Sequence, residues 1–522
     1  MKTTTRNQLT QAHGWIGISI SGLLFIIFFA GSISLFKDEI YQWSVAPTHQ
    51  VHSGPVLTIH DIAEIAIKDR PFNAKEHLSI LTPSEKLPYF QVYVDLKENH
   101  RGEDYIGLLI DPVSGEIIGE IDSFFLPEFI YHLHESMNLP FGRYLIGFVS
   151  LFFFVMLMTG LLIHAKKLLN RFFLYRSDSN KRSQYLDMHN VIGTMSLPFT
   201  AMYAFTGLVF NLVIIYQIAF AVVLYKGDQN ALLSDAGVHI IEPEWADKPM
   251  PMTRIDEQIQ AFTHELENPP RFIRFYNYGD ESAVMHLFGE VPNTFSSQYE
   301  LGIEMHSKAL LFKDSPEKNS AVKQGLSTLE TLHFGSFAGT DLRLIYFVLG
   351  LMVCGLIVSG NLLWIEKRVQ NKNASARQVT VLTKLTYIST VGIIVATAAS
   401  FLAERLLPLT AFNRADYLVY CFVIALVAFS AFVMKQSNKH TTIAGFYLSA
   451  GLLVMTVLCD WAMYAPQLMQ LWEAGRSTSM LVQIGMLFMA IAFIYCAQWM
   501  QRRVKRIAFD APQNVQEQGE PA

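Results

Sequence analysis

Cysteine is scarce in this 522-residue chain: only Cys354, Cys421, Cys459 and Cys496 occur, all in apolar runs. That excludes a disulfide framework and any zinc or iron–sulfur centre built on cysteine. Charge is scarce as well. Asp, Glu, Lys and Arg make up 16% of the residues, against about 25% in soluble domains. The net charge is −5, which leaves no global basic surface and excludes a nucleic-acid partner. What fills the chain instead is apolar: 51% hydrophobic residues, with 38 Phe. This is the balance of an integral membrane protein with substantial extramembrane parts.

A membrane span needs about 20 mostly apolar residues. Eight runs qualify: Trp15–Phe36, Tyr144–Ile163, Val191–Tyr225, Leu344–Ile365, Leu385–Ala403, Tyr417–Met434, Thr441–Cys459 and Ser477–Gln501. None contains Asp, Glu, Lys or Arg. The third run has 35 residues, about 52 Å as helix, too long for one crossing. Pro198 is expected to kink it, or its end to leave the bilayer. The first run exceeds a signal-peptide core and reads as a retained anchor.

Basic residues crowd every even-numbered exit. Lys166, Lys167, Arg171, Arg176, Lys181 and Arg182 follow span two, and Lys367, Arg368, Lys372 and Arg377 follow span four. Lys435 and Lys439 follow span six; Arg502, Arg503, Lys505 and Arg506 follow span eight. The short odd-numbered exits hold only Arg405, Arg414 and Arg476. The positive-inside rule therefore places both termini in the cytoplasm. The expected organisation is a first span (1–36), an outer domain (37–140), a second span (141–165) and a basic cytoplasmic loop (166–187). A third span (188–226), a second outer domain (227–340) and a fourth span (341–366) follow. A four-span segment (381–501) and a cytoplasmic tail (502–522) complete the chain.

Both outer segments read as α+β. In the first, Thr58–Lys68 has helical amphipathic spacing, Tyr89–Asp95 alternates as a strand, and Tyr105–Glu120 holds the turn Asp111-Pro-Val-Ser-Gly115 between two apolar runs. The second repeats the order with a helix near Thr253–Glu265 and strands near Phe272–Tyr278 and Ser282–Leu287. A plain spacer remains the alternative reading of these segments.

The spans repeat too. His13 and Gly17 open span one, with Gly31 farther on; His189, Gly193 and Gly207 stand 176 residues after them. Leu133-His134 precedes span two, which ends Thr159-Gly160; Leu332-His333 precedes span four, which ends Ser359-Gly360. Residues 1–165 and 185–365 thus read as duplicated halves. Same-orientation repeats place equivalent residues at equal membrane depth.

Of 16 His, nine lie in the outer segments (His49, His52, His60, His77, His100, His239, His264, His286, His306) and read as solvated. His440, in a short inner loop, and His132 read the same way. His13, His134, His164, His189 and His333 sit at span ends, where ionisable residues are unusual. The repeat makes His13 and His189 one pair and His134 and His333 another, one pair per membrane side. Facing imidazoles inside a helix bundle suit a flat cofactor ligated on both faces, and haem b needs only two axial His. Zinc would want three or four ligands. Gly31 and Gly207 share a helix face with the paired histidines, either as a slot for a macrocycle or as helix-packing contacts. His164 has no repeat partner; it is an alternative inner ligand in place of His13 or His189, or a contact for a haem propionate or the donor.

In its motifs the chain resembles the PepSY-associated transmembrane family. The resembling stretches are Ala12-His-Gly-Trp-Ile-Gly17, Leu133-His-Glu-Ser136, Gly160-Leu-Leu-Ile-His164, Asp187-Met-His-Asn190, Ser196-Leu-Pro-Phe199, and Leu332-His-Phe-Gly335 through Trp364. The Asp111 turn and its flanking strands resemble a PepSY domain. His13 is followed by Gly where many relatives have Arg. The resemblance implies a bacterial inner-membrane protein linked to iron uptake, similar to dihaem ferric-siderophore reductases. Its fold would be a polytopic α-helical membrane protein of about eight transmembrane helices. A duplicated four-helix haem-binding bundle with two PepSY-like α+β periplasmic domains would be followed by four extra helices. The substrate would be a ferric siderophore or other ferric chelate. The chain has no glycine-rich dinucleotide fingerprint and no flavin domain, so the donor would be a separate cytoplasmic flavin or NAD(P)H reductase, or a quinol. Two other functions compete: a non-redox transporter or permease subunit, and an outer module that binds a peptide or protein. Against a transporter, the spans lack buried acids and bases; Glu404, Arg405 and Asp460 read as interface residues.

Overall fold

An apolar run that enters lipid has to satisfy its backbone hydrogen bonds internally, and a single run does so as a helix. The computed structural model describes residues 3–49, 52–85, 87–97, 105–164, 175–176, 179–264, 268–291, 295, 298–370, 375–436 and 438–509. Among these, seven helices are long and apolar enough to cross a membrane, or eight if one bent pair counts as a span. The seven are Thr3–Ser34, Gly142–His164, Thr340–Val369, Ala376–Leu406, Arg414–Lys435, His440–Glu473 and Thr478–Arg502. The bent pair is the expected kinked run: Lys181–Met195 and Leu197–Asn211, at 71°. Ser196 separates them, and Pro198 stands in the first turn of the second piece, where its missing N–H costs nothing. The rest of the run is a third helix, Val213–Leu224. Lys166, Lys167, Arg171, Lys372 and His100 lie outside the described residues.

The chain divides into two compact units, and the division falls within the spans. One comprises residues 27–168 and 193–353. It holds both outer segments, and here the expectation of two separate domains is corrected. All eight strands form one sheet, in the order β4-β3-β2-β1-β5-β6-β7-β8. The first segment supplies β1 (His77–Leu81), β2 (Phe90–Asp95), β3 (Tyr105–Ile110) and β4 (Ile117–Glu120). The second supplies β5 (Phe272–Tyr276), β6 (Val284–Glu290), β7 (Gln298–Glu304) and β8 (Leu310–Asp314). Each half is an antiparallel meander. The seam is the antiparallel pair β1–β5, with Ile80 opposite Ile273 and Leu78 opposite Phe275. Pairing the two strands that would otherwise be inner edges removes exposed edge backbone from both halves.

One face of this sheet is covered by two short helices, Ile59–Ile67 and Ile255–Thr263, over a core that includes Ile62, Ile80, Val92, Phe275 and Leu287. Thr58 caps the first through a capping box with Asp61. The amides of Ile59 and His60 donate to Asp256 of the second helix, at 2.8 and 3.1 Å. A carboxylate at a helix N-terminus satisfies amides that have no intrahelical partner. Two of the eight described outer histidines expected to be solvated are buried: His49, and His286 on β6, 3.3 Å from Glu300.

The other unit comprises residues 1–26, 169–192 and 354–522. Asn361 ties its helices together, donating to Ser21 Oγ at 3.0 Å and Thr386 Oγ1 at 3.4 Å. A second correction concerns charge. The helix Asn438–Glu473 continues through Asp460, which is fully buried, and Glu404, Arg405 and Arg414 are buried as well. Arg405 pairs with Asp460, and Arg414 with Glu404 at 3.2 Å. Gln483 donates to Asp460 at 2.9 Å, and Trp461 donates to Gln483 at 3.0 Å. The spans thus do hold buried acids and bases at their ends, paired with one another. A charge-free run marks where charge begins, not where a helix ends, and ions paired inside a bundle need no water.

Candidate functional site

His134 sits near the end of the helix Leu126–Glu135, which opens with Pro127 and buries Leu126, Phe129, Ile130 and Leu133. That apolar face fixes the helix and turns His134 towards the first span. Its Nδ1 donates to the Ile27 carbonyl at 2.8 Å. The close approach depends on Gly31: a Cβ there would stand 2.6 Å from His134 Nδ1. His333 ends the helix Ala321–Phe334, capped by Ser320 at one end and by left-handed Gly335 (φ 64°) at the other. Thr206 Oγ1 donates to Met202 at 2.9 Å and lies 2.7 Å from His333 Nδ1, so it accepts the Nδ1–H. Tyr203 packs its ring 4.7 Å from the imidazole and donates its hydroxyl to the His333 carbonyl at 2.7 Å.

The His134 and His333 ring centroids are 6.0 Å apart. Burial pushes both imidazoles below the ordinary range; His333 falls to about 3, the nearby His134 adding to the drop. Both are therefore neutral at pH 7. With Nδ1 donating, Nε2 carries the lone pair in each.

A second pair forms in the other unit. His13 lies within the helix Thr3–Ser34 and His189 within Lys181–Met195, with ring centroids 6.3 Å apart. His189 Nδ1 donates to the Leu356 carbonyl at 3.1 Å. Gly360 makes room: a Cβ there would stand 3.1 Å from His189 Cε1. Beside His13, Trp15 and Trp364 meet edge to face, and the Arg368 guanidinium lies 3.4 Å over the Trp364 ring.

Two imidazoles ligating one metal ion from opposite sides have a predictable spacing. A bond of about 2.0 Å on each side, plus about 1.1 Å from nitrogen to ring centre, gives about 6.2 Å. Both pairs fit that spacing, and the Nδ1–H bonds of His134, His333 and His189 to carbonyl or hydroxyl oxygens are the orientation that ligating histidines adopt. The model of the family described as "PepSY-associated TM region" matches residues 10–367. The chain belongs to the PepSY-associated TM region family. An uncharacterized protein of Pseudomonas aeruginosa is 22% identical over 297 residues, covering 54% of this chain and 73% of that relative.

All five span-end histidines lie inside the PepSY-associated TM region, and the structure brings four of them together as two pairs. His164, the fifth, is the last residue of its helix and is half-buried. His132, outside the pairs, is held by Glu135 at 3.1 Å. Gly207 packs on Ser150, a helix-packing contact, whereas Gly31 seats a histidine ring. Sequence reasoning missed Ile27, Thr206 and Tyr203. The signal was present: Tyr203 stands 176 residues after Ile27, and Thr206 176 after Ala30, the offset of the histidine repeat.

Proposed function

We propose that this multi-pass membrane protein carries electrons across a bacterial inner membrane, through two b-type haems, to a ferric chelate such as a ferric siderophore. The observation that carries the reading is the pair of imidazole pairs, 6.3 and 6.0 Å between centroids. Two donors per site suit a macrocycle that brings its own equatorial nitrogens, and imidazole suits iron. Haem, when bound, supplies the one-electron redox chemistry.

The chain's own residues do the rest. His134, His333 and His189 each spend Nδ1–H on a protein oxygen, which fixes the tautomer and makes Nε2 the better donor. Burial keeps His134 and His333 neutral, the only form that ligates. The apolar spans exclude water. The basic exits put the His13–His189 pair on the cytoplasmic side, towards a separate flavin or NAD(P)H reductase or a quinol. The eight-stranded sheet then faces the periplasm, where it would hold the substrate. One electron converts Fe(III) to Fe(II), which hard oxygen ligands bind more weakly.

The test encloses a ferric chelate and a ferrous indicator in proteoliposomes and adds an impermeant reductant outside. Wild-type vesicles should form Fe(II) well above protein-free vesicles, and His134→Ala or His333→Ala should fall to that background. Equal rates in all three would sink the reading.

A second reading, a coupled transporter, draws on the buried Arg405–Asp460 and Arg414–Glu404 pairs and on the broken third span. It predicts that Asp460→Asn abolishes substrate uptake while Fe(II) formation in the vesicles stays at the wild-type rate.

A further inference from the structure

We infer that His49, His52 and Glu116 bind one divalent transition-metal ion, at a site separate from the two histidine pairs. The three residues come from two places in the first outer segment. His49 follows the turn Ala46–Thr48, and Glu116 stands just before β4. One ligand atom from each lies within 4.8 Å of the others. Donors around a tetrahedral first-row ion at about 2.0–2.2 Å are spaced by about 3.3–3.6 Å. A small rotation of Glu116, whose side chain is 60% exposed, closes the difference.

The polar groups around the cluster are those of an oriented ligand set. Asp111 Oδ1 accepts from the amides of Val113 and Ser114, which locks the turn. Its Oδ2 accepts from Nε2 of the buried His49 at 3.0 Å. A carboxylate on Nε2–H leaves the lone pair of His49 on Nδ1, as in carboxylate–histidine–metal triads. That Nδ1 lies 3.8 Å from Glu116 Oε2, close to the separation of two donors on one cation. The second observation is His52: its Nδ1 is buried without a hydrogen-bond partner, 3.6 Å from Asp111 Oδ2. Two imidazoles and one carboxylate favour Zn²⁺, Fe²⁺, Co²⁺, Ni²⁺ or Cu²⁺ over Mg²⁺ or Ca²⁺, which want oxygen.

The experiment titrates Zn²⁺ into the full-length, tag-free protein, stripped with chelator, by calorimetry, with Mg²⁺ and Ca²⁺ as controls. The expected result is a one-to-one site of micromolar Kd or tighter for Zn²⁺, with no response to Mg²⁺ or Ca²⁺. His52→Ala and Glu116→Gln should each weaken it by about tenfold or more, and Glu116→Gln is at an exposed side chain that folding does not need. Asp111→Asn should cost about 10–100-fold, since its amide donates to Nε2 and drives the proton onto the ligating Nδ1. His134→Ala should change nothing at this site. A Zn²⁺ Kd weaker than about 1 mM overturns the inference, as does a Kd that survives both His52→Ala and Glu116→Gln.

Discussion

Gly31 shows how a single missing atom positions a functional group. His134 Nδ1 stands 2.6 Å from where its Cβ would be, and the Ile27 carbonyl lies one turn away on the same helix. Gly31→Ala must therefore push His134 off that carbonyl. On the proposed reading, haem content should fall from two per chain to one, read by pyridine haemochrome assay on folded protein. Gly360→Ala, with a wider 3.1 Å approach to His189, should retain both. Thr206→Val removes the oxygen that accepts His333 Nδ1–H and should weaken that site about 10–100-fold, measured by haem titration of apoprotein. The histidines themselves were legible because a repeat doubles each of them at one offset. Their supports were not. Ile27 contributes only a backbone carbonyl, which every residue has, and Thr206 reads like any other span hydroxyl. The glycines were legible as special, but their partner is the imidazole ring or a neighbouring helix.

At the scale of elements, the turns around the sheet are held by buried carboxylates. Asp280, between β5 and β6, accepts from the amides of Ala246, Lys248 and Ser282 and from the Ser282 hydroxyl. Burial alone would raise its pKa, but the Ser282, Lys248 and Ala246 bonds outweigh it and bring it from 3.8 down to about 2. A carboxyl with a lower pKa folded than unfolded gives stability that is full above about pH 4 and lost as pH falls towards 2. Thermal unfolding of the wild type should thus weaken steeply between about pH 4 and 2.5, and Asp280→Asn should be less stable at about pH 6 but flatter over that window. An unchanged slope in the variant would contradict the assignment. The turn Asp111–Gly115 and strands β2 to β6 follow from alternation and turn residues in the sequence. The strand β1, His77-Leu-Ser-Ile-Leu, is absent from the elements expected from the sequence. Its absence hid the seam with β5, and with it the fusion of two expected domains into one sheet.

For the whole molecule, the spans were the most legible feature, because a charge-free run of about 20 residues rarely arises outside a bilayer. The same rule mispositioned the ends. It stopped the seventh run at Cys459, one residue before a buried Asp460 paired with Arg405. Asp460→Asn leaves Arg405 as an uncompensated buried cation, and should cost about 3–5 kcal/mol, read as a fall in the unfolding midpoint in detergent. The double change Arg405→Met with Asp460→Leu should recover most of that loss. The proposed function stands or falls with the two imidazole pairs and their similar spacing. The decisive experiment records the dithionite-reduced minus oxidised visible spectrum of the full-length protein, expressed with ample haem, together with its haem-to-protein ratio. A b-type signal at two haems per chain is expected, one of them lost in His333→Ala and the other in His189→Ala. A folded protein with no reducible haem signal would refute electron transfer through these pairs.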